Sequence, residues 1–125
     1  MLRILMIVSG GFEAAFGASA ILATPMLIGA LGREGGASAL FFARVFGAAT
    51  LALGIAALLA RNALAMQGGL AAAYGLALYN VLAAGLILWT VAVAGLGGGA
   101  LWGAGLFHAL MGALFVFALM AAPRD

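Results

Sequence analysis

The chain has 125 residues, of which 68% are hydrophobic and 6% charged, and a net charge of +2; its mean hydropathy is +1.31. A soluble domain is about half apolar and about a quarter charged, so a water-soluble chain of this size would lack the polar residues to cover its surface. Five arginines without a lysine are too few and too scattered for a nucleic-acid surface, and the lack of cysteine excludes disulfides, thiol catalysis and cysteine-ligated metals.

A helix needs about 20 apolar residues to span the hydrocarbon core. Four such stretches fall near 4–31, 38–60, 70–94 and 100–121, separated by breaks at 32–37, 61–69 and 95–99 that hold glycine or charge. Short breaks make neighbouring helices antiparallel. The runs are continuously apolar and do not alternate, which excludes a β-barrel. The expectation is an all-α, four-helix antiparallel transmembrane bundle forming one domain over residues 1–125, with lipid as its surroundings.

The first span opens with Arg3, an apolar run from Ile4 to Val8 and, later, the small triplet Ala18-Ser19-Ala20. These imitate a signal peptide, but Glu13 interrupts the apolar stretch and hydrophobicity continues to Leu31, so cleavage is not expected. Pro25 removes a backbone donor and is expected to bend this helix, a kink that neighbouring helices tolerate. Gly10 and Gly17 lie seven residues apart, nearly on one face, and Glu13 lies between them on that face.

The second span carries Arg44, Gly47 and Gly54. The third carries Gly75 and Asn80, with Gly68 just before it in the break. The fourth carries Gly105, His108 and Gly112, repeating the spacing of the first. Lipid does not drive apolar helices together as water does, so close backbone contact at small residues must do so. The pairs Gly10/Gly17, Gly47/Gly54, Gly68/Gly75 and Gly105/Gly112 therefore read as helix-packing seams.

Each span thus has one strongly polar residue: Glu13, Arg44, Asn80 or His108. Measured from the cytoplasmic side at about 1.5 Å per residue, they lie at depths of roughly 13, 20, 15 and 18 Å. They are expected to form one buried polar layer, with an arginine side chain long enough to bridge to Glu13. Such a layer has two readings. One is a Glu13–Arg44 pair with Asn80 and His108 bonded across helices, fixing register without chemistry. The other is a mid-membrane site for a proton, an ion or the head of a lipophilic molecule.

His108 is the candidate cofactor ligand, because a neutral imidazole binds haem iron or the magnesium of a chlorophyll-type pigment. The chain has no second histidine, so a second axial ligand would come from one of six methionines or from a partner chain. The plainer reading of His108 is a hydrogen-bonded helix contact. The hydroxyls of Ser9, Ser19, Thr24, Thr50 and Thr90 readily bond back to their own helices. None has a nearby base at nucleophile spacing, and there is no phosphate loop, HExxH or dinucleotide fingerprint. A catalytic role and a metal site are not expected. The tyrosines and phenylalanines read as packing and lipid-facing residues, or as the walls of an aromatic slot for a quinone or carotenoid.

Arg3, Arg61 and Arg124 fall on the side holding both termini, while Arg33 on the opposite side sits beside Glu34. This bias places both termini in the cytoplasm, with Trp89 and Trp102 at the other interface.

The segment Ala43-Arg44-Val45-Phe46-Gly47-Ala48-Ala49-Thr50-Leu51-Ala52-Leu53-Gly54 resembles a helix of small bacterial four-helix membrane proteins, the DoxX-like group, which pair an arginine with glycines along such a helix. Members of that group often carry Arg-Asp where this chain has Ala49-Thr50, a departure that weakens any transfer of a polar function to this helix. The resemblance implies an inner-membrane auxiliary role, sometimes linked to quinone or respiratory systems. Three functions follow as expectations: a non-catalytic accessory or structural subunit of a larger membrane complex, joined to other subunits or to itself; a binder of a lipophilic molecule or pigment; and a small proton- or ion-coupled transporter.

Overall fold

A computed structural model describes residues 1–30, 36–93, 95 and 98–121. Those residues form five helices: α1 Leu2–Leu22, α2 Thr24–Ala30, α3 Ala37–Ala60, α4 Gln67–Ala92 and α5 Gly99–Met120. Four of them, α1, α3, α4 and α5, are long and apolar enough to cross a membrane. A helix satisfies its backbone groups within one segment, which is what a medium without water demands.

The expected first span of 4–31 is two helices. The chain bends at Ala23, where φ is −127° and ψ is 35°. Pro25 has no N–H to offer the carbonyl four residues back, at Ile21. The neighbouring hydroxyl takes up the freed acceptors: Thr24 Oγ1 lies 2.6 Å from the Ala20 oxygen and 3.3 Å from the Ile21 oxygen. Arg61, just past α3, donates to the carbonyl of Leu58, a favourable place for a cation at a helix C-terminus. In the connection between α4 and α5, Gly95 has a φ of 63°, a left-handed conformation that a Cβ disfavours. Arg33, Glu34 and Arg124 lie outside the described residues.

α1 packs chiefly on α3, and α4 chiefly on α5; the two pairs meet through α3–α4, α1–α5 and α1–α4. Glycine sets the closeness of the first pair. A Cβ added at Gly17 would stand 2.5 Å from the Gly47 oxygen, and one at Gly54 would stand 2.5 Å from the Gly10 oxygen. The two backbones therefore touch at Gly10 against Gly54 and at Gly17 against Gly47. In the second pair, a Cβ at Gly112 would lie 3.0 Å from Val81 Cγ2, and one at Gly105 2.7 Å from Leu88 Cδ2. That contact is side chain against glycine, a looser approach than glycine against backbone.

The Gly68/Gly75 pair makes no seam: a Cβ at either would meet nothing within 4 Å. α4 instead buries Gly69, Ala73, Leu76, Ala77, Asn80 and Ala84. This stripe recurs at three- and four-residue steps on a different face. Between the helix pairs, Met6, Leu76 and Phe115 are fully enclosed, packed with Leu5, Ala57 and Met111.

Candidate functional site: a polar cluster between two helix pairs

Within this apolar interior α1 contributes Ser9 and Glu13, four residues apart and so on one face. Asn80 comes from the buried stripe of α4, and His108 from the glycine-flanked face of α5. Ser9, Glu13 and Asn80 are 0% exposed, and His108 is 4% exposed. The cluster lies where the α1–α3 pair meets the α4–α5 pair, so it joins them.

Its hydrogen bonds run in one chain. Asn80 Nδ2 donates to the Leu76 carbonyl at 2.8 Å and to Ser9 Oγ at 3.0 Å. His108 Nδ1 is 2.9 Å from Asn80 Oδ1. A carbonyl oxygen can only accept, so the Asn80 atom facing Leu76 must be the NH₂ group. The remaining amide atom is then the oxygen, also an acceptor, and the His108 Nδ1 facing it carries a hydrogen. A backbone carbonyl thereby fixes the amide orientation and, through it, the imidazole tautomer.

Glu13 is placed differently. Its Oε1 lies 3.8 Å from His108 Nδ1, beyond hydrogen-bond range. Neither carboxyl oxygen has a hydrogen-bond partner. The Tyr79 hydroxyl, on α4 beside Asn80, is close enough to interact with the carboxyl without a bond of ordinary geometry. Around the imidazole stand three rings edge-on: Phe12 at 5.9 Å, Tyr79 at 5.5 Å and Phe107 at 5.6 Å between centroids. The aromatic row continues outward. Phe107 touches Phe12 at 4.2 Å, Phe12 stacks on Phe16 at 6.4 Å, and Phe16 meets Phe46 of α3 at 6.0 Å. His108 thus has Nδ1 committed to Asn80 and its ring enclosed by aromatics. A haem or pigment metal would have to reach the other ring nitrogen past them.

The structure brings Glu13, Asn80 and His108 together, but it does not place Arg44 with them. Arg44 is exposed, and its Nε lies 3.2 Å from Thr24 Oγ1 beside the bend at Ala23. The glycine seam supplies the reason. At Gly47 an added Cβ would be 2.8 Å from Ala20 Cβ, which leaves no space for a guanidinium between α1 and α3. Arg44 therefore sits on the rim of the seam and reaches sideways. Among the described residues, the one within ion-pair distance of Glu13 is His108.

Ser9, Tyr79 and Thr24 also belong to the two polar sites, although their types alone did not single them out. Ser9 had a signal: it precedes Glu13 by four and adjoins Gly10. Thr50, Ser19 and Thr90 return their hydroxyls to carbonyls of their own helices. No family model matches the chain, and neither a curated protein nor a solved structure matches it.

Proposed function

We propose that this chain is a non-catalytic accessory or structural subunit of a larger membrane assembly, built as an antiparallel four-span bundle in a bacterial inner membrane with both termini in the cytoplasm. The antiparallel course is supported by the pairing of Gly10 with Gly54 and of Gly17 with Gly47, in which later residues of one helix meet earlier residues of the other. The orientation is supported by Arg3 and Arg61 on one side and by the exposed Trp89 and Trp102 at the other. The auxiliary role is also what the likeness of the helix around Arg44 to DoxX-like proteins implies.

One observation carries the subunit reading. The chain packs its own helices through glycine, yet Gly68, Gly75 and Gly85 of α4 meet nothing within 4 Å. Glycine in a helix interior costs about 1 kcal/mol relative to alanine. On an outward face it permits the backbone of another helix to come close. Purification of the full chain in mild detergent is expected to yield a partner, or a second copy, at fixed stoichiometry. Gly75→Ile is expected to release it while leaving the thermal stability of the chain unchanged. A lone monomer that cross-links to nothing in native membranes overturns the reading.

A second reading, a binder of a lipophilic molecule or pigment, is favoured by the aromatic row from Phe46 through Phe16, Phe12 and Phe107 to His108. Absorbance and lipid extraction of the purified protein test it. A colourless, ligand-free preparation indifferent to His108→Ala removes it.

A further inference from the structure

Glu13 has four lone-pair positions on two oxygens, and among the described residues none receives a hydrogen bond of ordinary geometry. A buried polar group without a partner is rare in folded proteins and calls for a reason. An isolated charge in this medium is expensive, and it becomes tolerable beside an opposite charge that is itself hydrogen-bonded. The group able to supply that charge is His108, 3.8 Å away.

The other elements packed around the carboxyl offer no competing cation. On α1, Ser9 is neutral and receives a bond from Asn80. On α3, Thr50 is bonded to carbonyls of its own helix, and Arg44 donates to Thr24. On α4, Tyr79 and Asn80 are neutral. Glu13 and His108 are therefore the two groups here that can carry opposite charges, with the neutral Tyr79 hydroxyl beside the carboxyl.

The geometry also assigns which nitrogen changes state. Asn80, oriented by the Leu76 carbonyl, holds a hydrogen on His108 Nδ1. Nε2 is then the nitrogen with a free lone pair. A proton held by the pair has two places to reside. It forms an O–H bond at Glu13 beside a neutral imidazole, or an N–H bond at His108 Nε2 beside a carboxylate. Both arrangements leave the buried pair with no net charge. The carboxyl faces Nδ1 rather than Nε2, so a proton does not pass directly between the two places, and each exchanges with an outside carrier that accepts a proton at one and donates one at the other.

We propose that Glu13 and His108 form a membrane-embedded proton-binding site, with Asn80 as the positioning residue that fixes the imidazole tautomer and Nε2 as the exchanging nitrogen. This role is independent of whether the chain is a subunit. It would serve a reaction or transport step that takes up or releases one proton inside the membrane.

The sequence holds a single histidine, so nitrogen-15 labelling of histidine in the full chain in bilayers reports on His108 alone. Solid-state NMR across pH is expected to show Nδ1 protonated throughout and Nε2 alternating between bare and protonated. The infrared carboxyl band that vanishes in Glu13→Gln is expected to change over the same pH range as Nε2. In that variant the proton affinity of Nε2 is expected to change about tenfold or more, the effect of losing an adjacent opposite charge. A bare Nδ1, a carboxyl band that titrates apart from Nε2, or an unchanged Nε2 midpoint in Glu13→Gln overturns the proposal. If Glu13→Gln does not fold, the tautomer and the shared pH range of the unsubstituted chain decide it.

Discussion

Asn80 Oδ1 and His108 Nδ1 stand 2.9 Å apart between α4 and α5, both residues buried. Because Asn80 also reaches Ser9 on α1, one amide holds three helices together. In membranes such interhelical bonds average about 0.6 kcal/mol and reach about 1–2 kcal/mol. Asn80→Leu removes the bonds to Ser9 and His108 at once, and is expected to cost about 1–2 kcal/mol in a mixed-micelle unfolding titration. Ser9→Ala is expected to cost less, about 0.6 kcal/mol. In the double-mutant cycle a coupling energy indistinguishable from zero would show that the Ser9–Asn80 bond contributes nothing.

The contact of α1 with α3 is close enough for one added methyl group to disturb it. An alanine at Gly54 would place its Cβ 2.5 Å from the Gly10 oxygen, whereas one at Gly11 would meet nothing within 4 Å. The first forces two backbones apart. Overpacking costs typically about 1–3 kcal/mol, so Gly54→Ala is expected to lower stability by that amount. Gly11→Ala is expected to leave stability unchanged or raise it by up to about 1 kcal/mol, the helix-propensity difference. Equal unfolding midpoints for both variants would contradict the close approach.

At the bend, the Thr24 hydroxyl both serves the Ala20 and Ile21 carbonyls and receives Arg44 Nε. Thr24→Val preserves shape and removes the donor and the acceptor. The Ala20 carbonyl loses its near donor and, with Pro25 unable to supply an N–H, the Ile21 carbonyl loses its longer contact, so a cost of about 1–2 kcal/mol is expected. Pro25→Ala restores a backbone donor to the Ile21 carbonyl and is expected to recover the smaller part of that loss, the part owed to Ile21, in the double variant. Failure of that rescue would mean that the hydroxyl does not serve the freed carbonyl.

Much of this arrangement is visible in the sequence, and the parts that are not share a physical cause. The four long apolar helices follow from composition, since about 20 predominantly apolar residues with few charges can reside nowhere more favourably than in lipid. Gly10, Gly17, Gly47 and Gly54 are readable because glycine at seven-residue spacing marks a close contact. The same logic misplaces the third helix. Gly68 and Gly75 look like a seam, but the buried stripe is Gly69, Ala73, Leu76, Ala77 and Asn80, where alanine does the work expected of glycine. That choice of face also obscures Asn80. Arg44 is misplaced for the opposite reason. Charge complementarity points it toward Glu13, while the volume of a guanidinium keeps it out of a seam only a glycine wide. Depth along a helix can be counted from sequence, but the azimuth of a residue depends on which neighbour it faces.

The placement of Arg44 separates two stability outcomes. Removing one partner of a buried ion pair strands a charge and typically costs about 3–5 kcal/mol. Arg44 instead is exposed and makes one side-chain bond, to Thr24. Arg44→Ala is therefore expected to cost about 1 kcal/mol or less, and the cost is expected to disappear when Thr24 is already valine. The state of Glu13 gives an independent reading of the same question. If its charge partner is His108, the infrared carboxyl signal of Glu13 is unaltered by Arg44→Ala and altered by His108→Gln. A large destabilisation by Arg44→Ala, together with a changed Glu13 signal, would put the guanidinium beside the carboxylate and rule out the Glu13–Asn80–His108 cluster.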